Sequence, residues 1–381
     1  MVTDERVIAV AEPSSMPRRL RIAFIWTTEV GLQTIYQNWR DCMPEEAGVD
    51  PTWIIISWWH EGGRIERLPL LPRWIKARLR GYHELYSELG NQELDVLYPG
   101  PWAMFFGNER RLRRQPYVLG FDSTNEQRMA FDGLYGRPSR IPGAETVKWR
   151  LRRRVYQGAA ALFPWSQWAM DGLMERYSPD PSRVHIVPPG VDLDFWSFER
   201  RSEEGDAHLL FVGGDFYRKG GDLLLEWAET TRLDGWQLHL VTRDPVSTTS
   251  SRVHVYHGLT PSSPALRALY RQANVFVLPT RADCYSLASL EAMATGLPVV
   301  LSRVGGTGDI VRDGETGFLI PPGDRRALAA SLEGLIEDRA SHGRMGLAAR
   351  KDVEARYDVR ANILRTVEII RAAVDEHRAS S

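Results

Sequence analysis

A glycine-rich segment in the second half of the chain could bind a phosphate group. Val212–Asp222 reads VGGDFYRKGGD and holds Arg218 beside Lys219. Glycine lets a backbone approach a phosphate closely, the following helix start offers N–H groups, and cations neutralise the phosphate charge. The spacing matches neither the P-loop nor the dinucleotide fingerprint. Taken alone, the segment fits a plain strand-to-helix turn with two exposed cations equally well.

Two carboxylates lie further along the chain, in PTRADCYSLASLEAMATGLPVV at residues 279–300. Asp283 lies in a predicted loop, and Glu291 lies on a helix predicted to begin near Ser286. Carboxylates bind hydroxyls and a helix start favours anions, so the segment suits a ligand that has both hydroxyls and phosphates. The alternative is structural, with Asp283 capping the helix and Glu291 buried and hydrogen-bonded. A third segment, Val304–Gly317, offers further backbone amides or simply two tight turns.

The first half of the chain has fewer residues that point to chemistry. Asp122 follows a predicted strand and is the best candidate there for holding or activating an acceptor hydroxyl, with a helix cap as the alternative. A basic helix at residues 148–154 (KWRLRRR), with Arg110, Arg111, Arg113 and Arg114, could rest on anionic lipid or be a solvated surface.

Alternating apolar runs and amphipathic stretches must position these residues. The predicted strands include Arg21–Trp26, Trp53–Trp59, Val184–Val187, His208–Gly213 and Val275–Pro279, and the predicted helices include Leu32–Cys42, Arg73–Leu89 and Ala361–Glu376. Such alternation predicts an α/β protein with two Rossmann-like, doubly wound domains facing a cleft. The predicted units are a tail at 1–19, a first domain at 20–198, a linker at 199–207, a second domain at 208–355 and a final helical segment at 356–381.

Composition excludes several classes of protein. The 381 residues are 43% hydrophobic and 25% charged, as in ordinary globular proteins, and contain no apolar run of membrane-spanning length. The net charge of -1 argues against a nucleic-acid partner. Cys42 and Cys284 are the only cysteines, which excludes a disulfide framework and fits a reducing compartment. The polar first residues lack the apolar core of a signal peptide, so we expect a cytoplasmic protein.

Four segments carry a resemblance to a known family. They read HIVPPGVDLDFW, LLFVGGDFYRKGGDLLLE, ANVFVLPTRADCYSLASLEAMATGLPVVLSRVGG and DIVRDGETGFLIPPGD. In this order, across residues 160 to 375, they resemble glycosyltransferase family 4, retaining enzymes of the GT-B fold. The resemblance implies transfer of a hexose-type sugar from a nucleotide-diphosphate sugar to a glycan, lipid-linked or small-molecule hydroxyl. It implies front-face attack without a covalent enzyme intermediate, and a last helix that crosses back to the N-terminal domain.

The resemblance also implies roles for individual residues. Lys219 and Arg218 would contact the donor diphosphate, Glu291 the nucleotide ribose and Asp283 the donor sugar. The predicted catalytic residues are Asp283, Lys219, Arg218 and Asp122. The predicted donor-binding residues are Gly31, Gly213, Gly214, Arg218, Lys219, Asp283, Tyr285, Ser286, Leu287 and Glu291, the three at 285–287 acting through their backbone.

Two residues depart from the family pattern. Asp283 is one methylene shorter than the usual glutamate, and Gly214 stands where many members have an arginine. Arg218 is the candidate for supplying that charge.

Partners and alternatives follow from the same resemblance. We expect no metal and no resident cofactor, a UDP- or GDP-linked sugar as co-substrate, and a glycan or lipid-linked acceptor. The basic residues described above add an expected peripheral contact with the inner face of an anionic membrane. The alternatives are a non-catalytic glycan- or nucleotide-binding protein of the same fold, a nucleotide-sugar epimerase and a sugar phosphorylase.

Overall fold

Parallel strands alternate with helices in both halves of the chain. A computed structural model describes residues 18–27, 30–90, 92–100, 115–135, 143–199, 204–261 and 263–380. The strands are short, largely buried apolar runs, as expected where helices cover both faces of a parallel sheet. The predicted α/β class is therefore confirmed.

The first half holds five of the described strands. They are Leu20–Thr27 (β1), Val49–Ile56 (β2), Val96–Pro99 (β3), Val118–Phe121 (β4) and Ala161–Pro164 (β5). The helices are Val30–Cys42 (α1), Arg73–Leu89 (α2), Asn125–Met129 (α3), Ala144–Gly158 (α4) and Gln167–Tyr177 (α5), with short 3₁₀ turns at Glu45–Ala47 and Pro181–Arg183. The order β2-β1-β3 is parallel, β4 pairs with β5, and a single bridge from Leu97 to Tyr117 joins the two groups.

The second half forms one six-stranded parallel sheet. Its strands are Ala207–Val212 (β6), Trp236–Val241 (β7), Val253–Tyr256 (β8), Val275–Leu278 (β9), Val299–Ser302 (β10) and Gly317–Ile320 (β11), in the order β11-β10-β9-β6-β7-β8. The helices are Gly221–Thr230 (α6), Pro264–Gln272 (α7), Leu287–Ala294 (α8), Thr307–Ile310 (α9), Arg325–Glu337 (α10) and Arg339–Arg356 (α11). The strand order reverses direction beside β6 and β9, and ligands of such sheets bind at that edge.

The last helix returns to the first half, as predicted. Val359–Ser380 (α12) packs against α1 and the turn at Glu45–Ala47. Its apolar face is buried in one continuous cluster with Trp39 of α1 and Trp196. Arg378 donates to Asp95 at 2.8 Å, which adds an ion pair to the apolar contact. None of the described helices combines the length and apolarity needed to cross a membrane.

Two predicted strands differ from those observed. β2 begins four residues before the predicted Trp53 because it is an edge strand, where Pro51 costs no ladder hydrogen bond. It ends at Ile56 because the next amide, at Ser57, donates to Glu84 at 2.6 Å. Val184–Val187 is extended along β5 but pairs through a single bridge at Val184 before the two prolines that follow.

Candidate active site

The glycine-rich segment after β6 meets the loop after β9. Gly220 has a φ of +79°, and a Cβ there would lie 2.0 Å from the carbonyl oxygen of Pro279. A Cβ at Gly213 would lie 2.9 Å from the Cβ of Lys219. Glycine is required at 220 because two loops pass each other there at backbone distance, and at 213 because the side chain of Lys219 fills the space beside it. This close approach brings the first two predicted segments together.

Lys219 and Asp283 form an ion pair at this junction. The Nζ atom of Lys219 donates to Oδ2 of Asp283, and the two side chains are 16% and 5% exposed. A buried carboxylate is tolerated when a cation and hydrogen bonds compensate it. The pair therefore holds one positive and one negative group next to each other at the carboxyl edge of the sheet.

Arg218 connects three parts of the molecule. Its Nη1 donates to the hydroxyl of Tyr135 at 3.1 Å and to the carbonyl of Ala282 at 2.8 Å, and its Nε donates to Asp215 at 3.0 Å. The guanidinium also lies 4.9 Å from the ring centroid of Tyr135. Tyr135 belongs to the first half, so Arg218 spans the cleft. Sequence reasoning missed Tyr135, which lies in a loop without a periodic pattern.

Asp122 faces the same site from the end of β4. The structure excludes its alternative role as a helix cap, because Thr124 caps α3 with Gln127 in a reciprocal pair of hydrogen bonds. Asp122 instead accepts a hydrogen bond from the Ser123 hydroxyl at 2.8 Å. Burial and the nearby negative charge of Asp283 raise the pKa of Asp122 to about 6. The structure thus places two predicted carboxylates, one from each half, within electrostatic reach of each other.

Glu291 lies on α8, beneath the loop that carries Asp283. Ser286 caps that helix by accepting from the Ser289 amide at 3.3 Å, so Asp283 is free of the capping role considered for it. Oε2 of Glu291 accepts from the Tyr270 hydroxyl at 3.1 Å. Burial raises the pKa of Glu291 to about 7. The structural alternative for Glu291 is therefore correct in geometry, and its carboxyl can either donate or accept near neutral pH.

The other predicted donor-binding residues lie at the start of α1 and at the start of α8. Gly31, at the start of α1, is exposed, and nothing lies within 4 Å of a Cβ built there. Tyr285 is buried with its ring 5.9 Å from that of Trp165, and Leu287 is the first residue of α8. The Tyr285 ring therefore packs against the first half of the chain.

The amides of the glycine-rich loop are largely committed within the protein. Those of Gly213, Lys219, Gly220 and Gly221 donate to backbone carbonyls. Those of Phe216 and Arg218 donate to the carboxylates of Asp244 and Asp215. These six amides are therefore satisfied within the protein, so at their positions the side chains are left to compensate an anion.

Gly214 lies under the side chain of Arg243, which follows β7. A Cβ at Gly214 would lie 2.7 Å from Nε of Arg243. The same Nε approaches the carbonyl oxygen of Gly214 at 3.4 Å. Sequence reasoning missed Arg243, because its approach to Gly214 depends on the pairing of β6 with β7.

The third glycine-rich segment joins the two halves. Gly306 donates its amide to the carbonyl of Cys284 at 3.0 Å, and a Cβ at Gly306 would lie 2.8 Å from the Ser166 hydroxyl. Oδ2 of Asp309 accepts from the amide of Trp168 at 3.1 Å. This segment therefore positions the Asp283 loop against the first half.

The basic region proposed for lipid contact is described only in part. On α4, Arg150, Arg153 and Arg154 are exposed, whereas Arg152 pairs with Glu126 at 2.9 Å. The other predicted members, Arg110, Arg111, Arg113 and Arg114, lie outside the described residues. Among the residues that the structure describes, no group of three histidine, cysteine, aspartate or glutamate side chains is arranged to hold a metal ion.

Two parallel-sheet domains that meet at a charged cleft define a protein of the GT-B architecture, and solved structures share this fold. Sucrose-phosphate synthase from Thermosynechococcus elongatus has a TM-score of 0.73 at 20% identity, covering 95% of this chain and 100% of that one. Anabaena HepE in complex with UDP-glucose has a TM-score of 0.65 at 15% identity, covering 93% and 100%. The predicted GT-B fold is confirmed.

Two family models match successive parts of the sequence. Residues 38–195 match the model described as Glycosyltransferase Family 4, and residues 206–338 match the model described as Glycosyl transferases group 1. The chain therefore belongs to the family 4-like glycosyltransferases of the GT-B fold, as the resemblance predicted.

Curated relatives carry glycosyl-transfer names. One is the D-inositol 3-phosphate glycosyltransferase of Arthrobacter sp. (strain FB24), 30% identical over 59% of this chain and 58% of its own length. Another is the glycogen synthase of Mycobacterium tuberculosis (strain CDC 1551 / Oshkosh), 30% identical over 53% and 52%. The chain thus spans somewhat more than half the length of these relatives.

Proposed function

We propose that this protein is a retaining glycosyltransferase that moves a hexose-type sugar from a nucleotide-diphosphate sugar to an acceptor hydroxyl. The observation that carries the proposal is the Lys219–Asp283 pair at the edge where β6 and β9 end. It places a cation for a diphosphate beside a carboxylate for sugar hydroxyls, in a chain of this family. The acceptor is a glycan, a lipid-linked sugar or a small molecule.

The proposed chemistry assigns each group a separate task. Lys219 and Arg218 stabilise the charge that develops on the leaving diphosphate. Glu291 binds the ribose hydroxyls, Asp283 binds the transferred sugar, and the backbone at 285–287 lies along the donor. The acceptor oxygen bonds to the anomeric carbon on the face from which the diphosphate leaves, and the acceptor proton passes to an oxygen of the departing diphosphate. No side chain forms a covalent intermediate.

Asp122 is the proposed holder of the acceptor hydroxyl. Its pKa of about 6 leaves the carboxylate ionised at neutral pH, so that it can accept the hydrogen bond of an incoming hydroxyl. Its position opposite Asp283 puts that hydroxyl beside the donor sugar. Because this contact orients the acceptor, Asp122 contributes mainly by positioning.

The donor is proposed to be a UDP- or GDP-linked sugar, with no resident metal or cofactor. HepE, which shares the fold, is solved with UDP-glucose, and this supports a nucleotide sugar here. Lys219 and Arg218 supply positive charge that a divalent ion supplies in other transferases. The relatives named for inositol phosphate and glycogen support a hydroxylated acceptor of either kind.

A calorimetric titration with UDP, GDP, ADP and CMP tests the donor site. We expect one diphosphate to bind, and Lys219→Ala and Glu291→Ala to weaken it roughly tenfold or more, because each removes a hydrogen bond to a polar or charged group. Arg325→Ala is the control, since Arg325 lies on α10 and pairs with Glu226. Folded protein that binds none of these nucleotides contradicts the proposal and favours a non-catalytic role.

Peripheral contact with an anionic membrane is also proposed. Leu70 is fully exposed at 101% and has a φ of +65°, which is uncommon for a leucine. Leu68 is exposed beside it, and Arg67 and Arg73 flank the same loop. Exposed leucines among arginines suit the interface of an anionic bilayer.

Co-sedimentation with vesicles of phosphatidylglycerol and phosphatidylcholine tests this contact at low salt. We expect binding to the anionic vesicles that falls in the Leu68→Ser, Leu70→Ser double variant. Leu347→Ser is the control, because Leu347 is 44% exposed on the other half of the molecule. The contact is refuted when the unaltered protein stays in the supernatant.

A further inference from the structure

The cations around the glycine-rich loop are paired with carboxylates, with one exception among the described residues. Three ion pairs surround the loop: Arg218 with Asp215, Lys219 with Asp283, and Arg281 with Asp222. Each pair has a formal charge of zero. These neutral pairs can compensate the negative charge of a bound diphosphate only if each cation interacts with its carboxylate and the diphosphate at the same time.

Arg243 is the exception. It is exposed, and its guanidinium forms no ion pair with a described carboxylate. Within the part of the chain that the structure describes, its one hydrogen bond is the long contact of 3.4 Å with the carbonyl oxygen of Gly214. A guanidinium with its donors uncommitted is the group best suited to bidentate binding of phosphate oxygens.

Arg243 and Lys219 both lie against the residues that follow β6. A Cβ at Gly213 would touch the Lys219 side chain, and a Cβ at the next residue, Gly214, would lie 2.7 Å from Nε of Arg243. The two cations therefore lie over consecutive residues that follow β6. Gly214 leaves the space that the guanidinium occupies.

We propose that Arg243 binds the diphosphate of the nucleotide-sugar donor, and that glycine at position 214 is what admits its side chain. The proposal rests on the proposed function, because it names a further residue of the same donor site. It also agrees with the internal hydrogen bonds made by the amides of Gly213, Lys219, Gly220 and Gly221, which leave a larger part of phosphate binding to side chains.

The test begins with calorimetric titration of UDP and GDP into the Arg243→Gln variant. We expect the affinity for the bound diphosphate to fall roughly 10- to 100-fold, the range for a hydrogen bond to a charged group. Arg243→Lys keeps the positive charge but loses the planar guanidinium that can bind phosphate through two hydrogen bonds. We therefore expect a loss of affinity between those of the natural protein and the Arg243→Gln variant. Arg325→Gln is the matched control, because it removes an exposed arginine of the same half, on α10.

A double-mutant cycle tests the role of Gly214. We expect Gly214→Ala to weaken diphosphate binding in the natural background, because the methyl group displaces the guanidinium. In the Arg243→Ala background the same change has nothing to displace, and we expect no further loss. Moving the charge back, with Gly214→Arg in the Arg243→Ala background, is expected to restore part of the affinity.

The outcomes separate this inference from the function on which it rests. Binding that falls in Lys219→Ala but stays unchanged in Arg243→Gln overturns the inference and leaves the donor site in place. Equal effects of Gly214→Ala in both backgrounds overturn the pairing of Gly214 with Arg243. Absence of nucleotide binding by the unaltered, folded protein overturns both.

Discussion

At the scale of single residues, the Lys219–Asp283 pair is the centre of the proposed site and also a point of fragility. Lys219→Met leaves a nearly buried carboxylate without its cation, and we expect a loss of about 3 kcal/mol in the free energy of unfolding. Adding Asp283→Asn removes the unpaired charge, and we expect it to restore much of that loss. Urea unfolding followed by tryptophan fluorescence measures both. A Lys219→Met protein as stable as the natural one would show that the pair is solvated.

Glu291 makes stability depend on pH with the opposite sign to a glutamate whose pKa is lowered by a salt bridge. Its pKa is raised to about 7 from 4.5 by burial, so the folded state holds the proton more tightly than the unfolded chain does. The stability that Glu291 contributes is therefore lost as the pH rises from 4.5 to 7.

The variant Glu291→Gln measures this contribution of Glu291 to stability. It is neutral at every pH and retains an oxygen for the Tyr270 hydroxyl. We expect its stability relative to the natural protein to improve by about 2 kcal/mol between pH 5 and pH 8. Glu376→Gln, on the exposed face of the last helix, is the control and is expected to show no such change. An equal pH response of the two variants contradicts burial of an ionisable Glu291.

At the scale of elements, the glycine-rich loop and the loop after β9 are held by one close approach. Gly220→Ala places a methyl group 2.0 Å from the Pro279 carbonyl, so the two loops must separate. Gly235 has the same φ of +79°, with nothing within 4 Å of a built Cβ, and is a matched control.

The two alanine variants are expected to have similar backbone strain but different affinities for the diphosphate. Both carry the strain of a left-handed residue, roughly 1 kcal/mol. Only Gly220→Ala is expected to reduce diphosphate affinity, by about tenfold, because it moves Lys219 away from Asp283. Titration calorimetry with the bound nucleotide compares them. Equal affinities would mean that loop contact is unimportant for the site.

Three neighbouring strands carry a row of histidines away from the cleft. His208 on β6, His239 on β7 and His254 on β8 stack with ring centroids 5.1 Å apart. Nδ1 of His239 lies 3.0 Å from the Tyr256 hydroxyl, and the pKa of His239 is lowered to about 4 by burial and by its histidine neighbours. A lowered histidine pKa means that the unfolded chain binds the proton first. His239 therefore stabilises the fold above pH 6.5, and this contribution is lost as the pH falls from 6.5 to 4.

Replacing the central histidine should flatten that decline. Between pH 7.5 and pH 5, we expect the free energy of unfolding of the His239→Gln variant to fall by about 2 kcal/mol less than that of the natural protein. His83→Gln, at an exposed position of α2, is the control. Urea unfolding at the two pH values measures the difference. An equal loss of stability in the His239→Gln variant and the natural protein would contradict the lowered pKa of His239.

Sequence patterns predicted most elements, and the misses have identifiable causes. The carboxyl edge of a parallel sheet collects the loops that follow its strands, so Lys219 and Asp283 could be placed together in advance. Helix α11 was missed because its buried positions include Ser341, His342 and Asp352, which break the apolar pattern. Tyr135 and Arg243 could not be predicted, because loop position and strand pairing, not local pattern, bring them to the site.

At the scale of the whole molecule, several different contacts hold the two halves around the cleft. Arg218 reaches Tyr135, Asp309 accepts from the Trp168 amide, and the last helix returns to α1. Asp122 and Asp283 come from opposite halves, so the proposed acceptor and donor groups meet only in the assembled protein. A test of the complete reaction therefore tests the architecture as well as the residues.

The most direct test is the anomeric configuration of the product, followed by proton NMR in the first minutes of reaction. UDP-α-glucose and GDP-α-mannose are the donors, with water, D-inositol 3-phosphate and glycogen as acceptors, and Lys219→Ala is the inactive control. Front-face transfer at the Lys219–Asp283 site predicts that the new bond, or the sugar first released to water, has the α configuration of the donor. A β product, or turnover that persists in Lys219→Ala, would contradict the account.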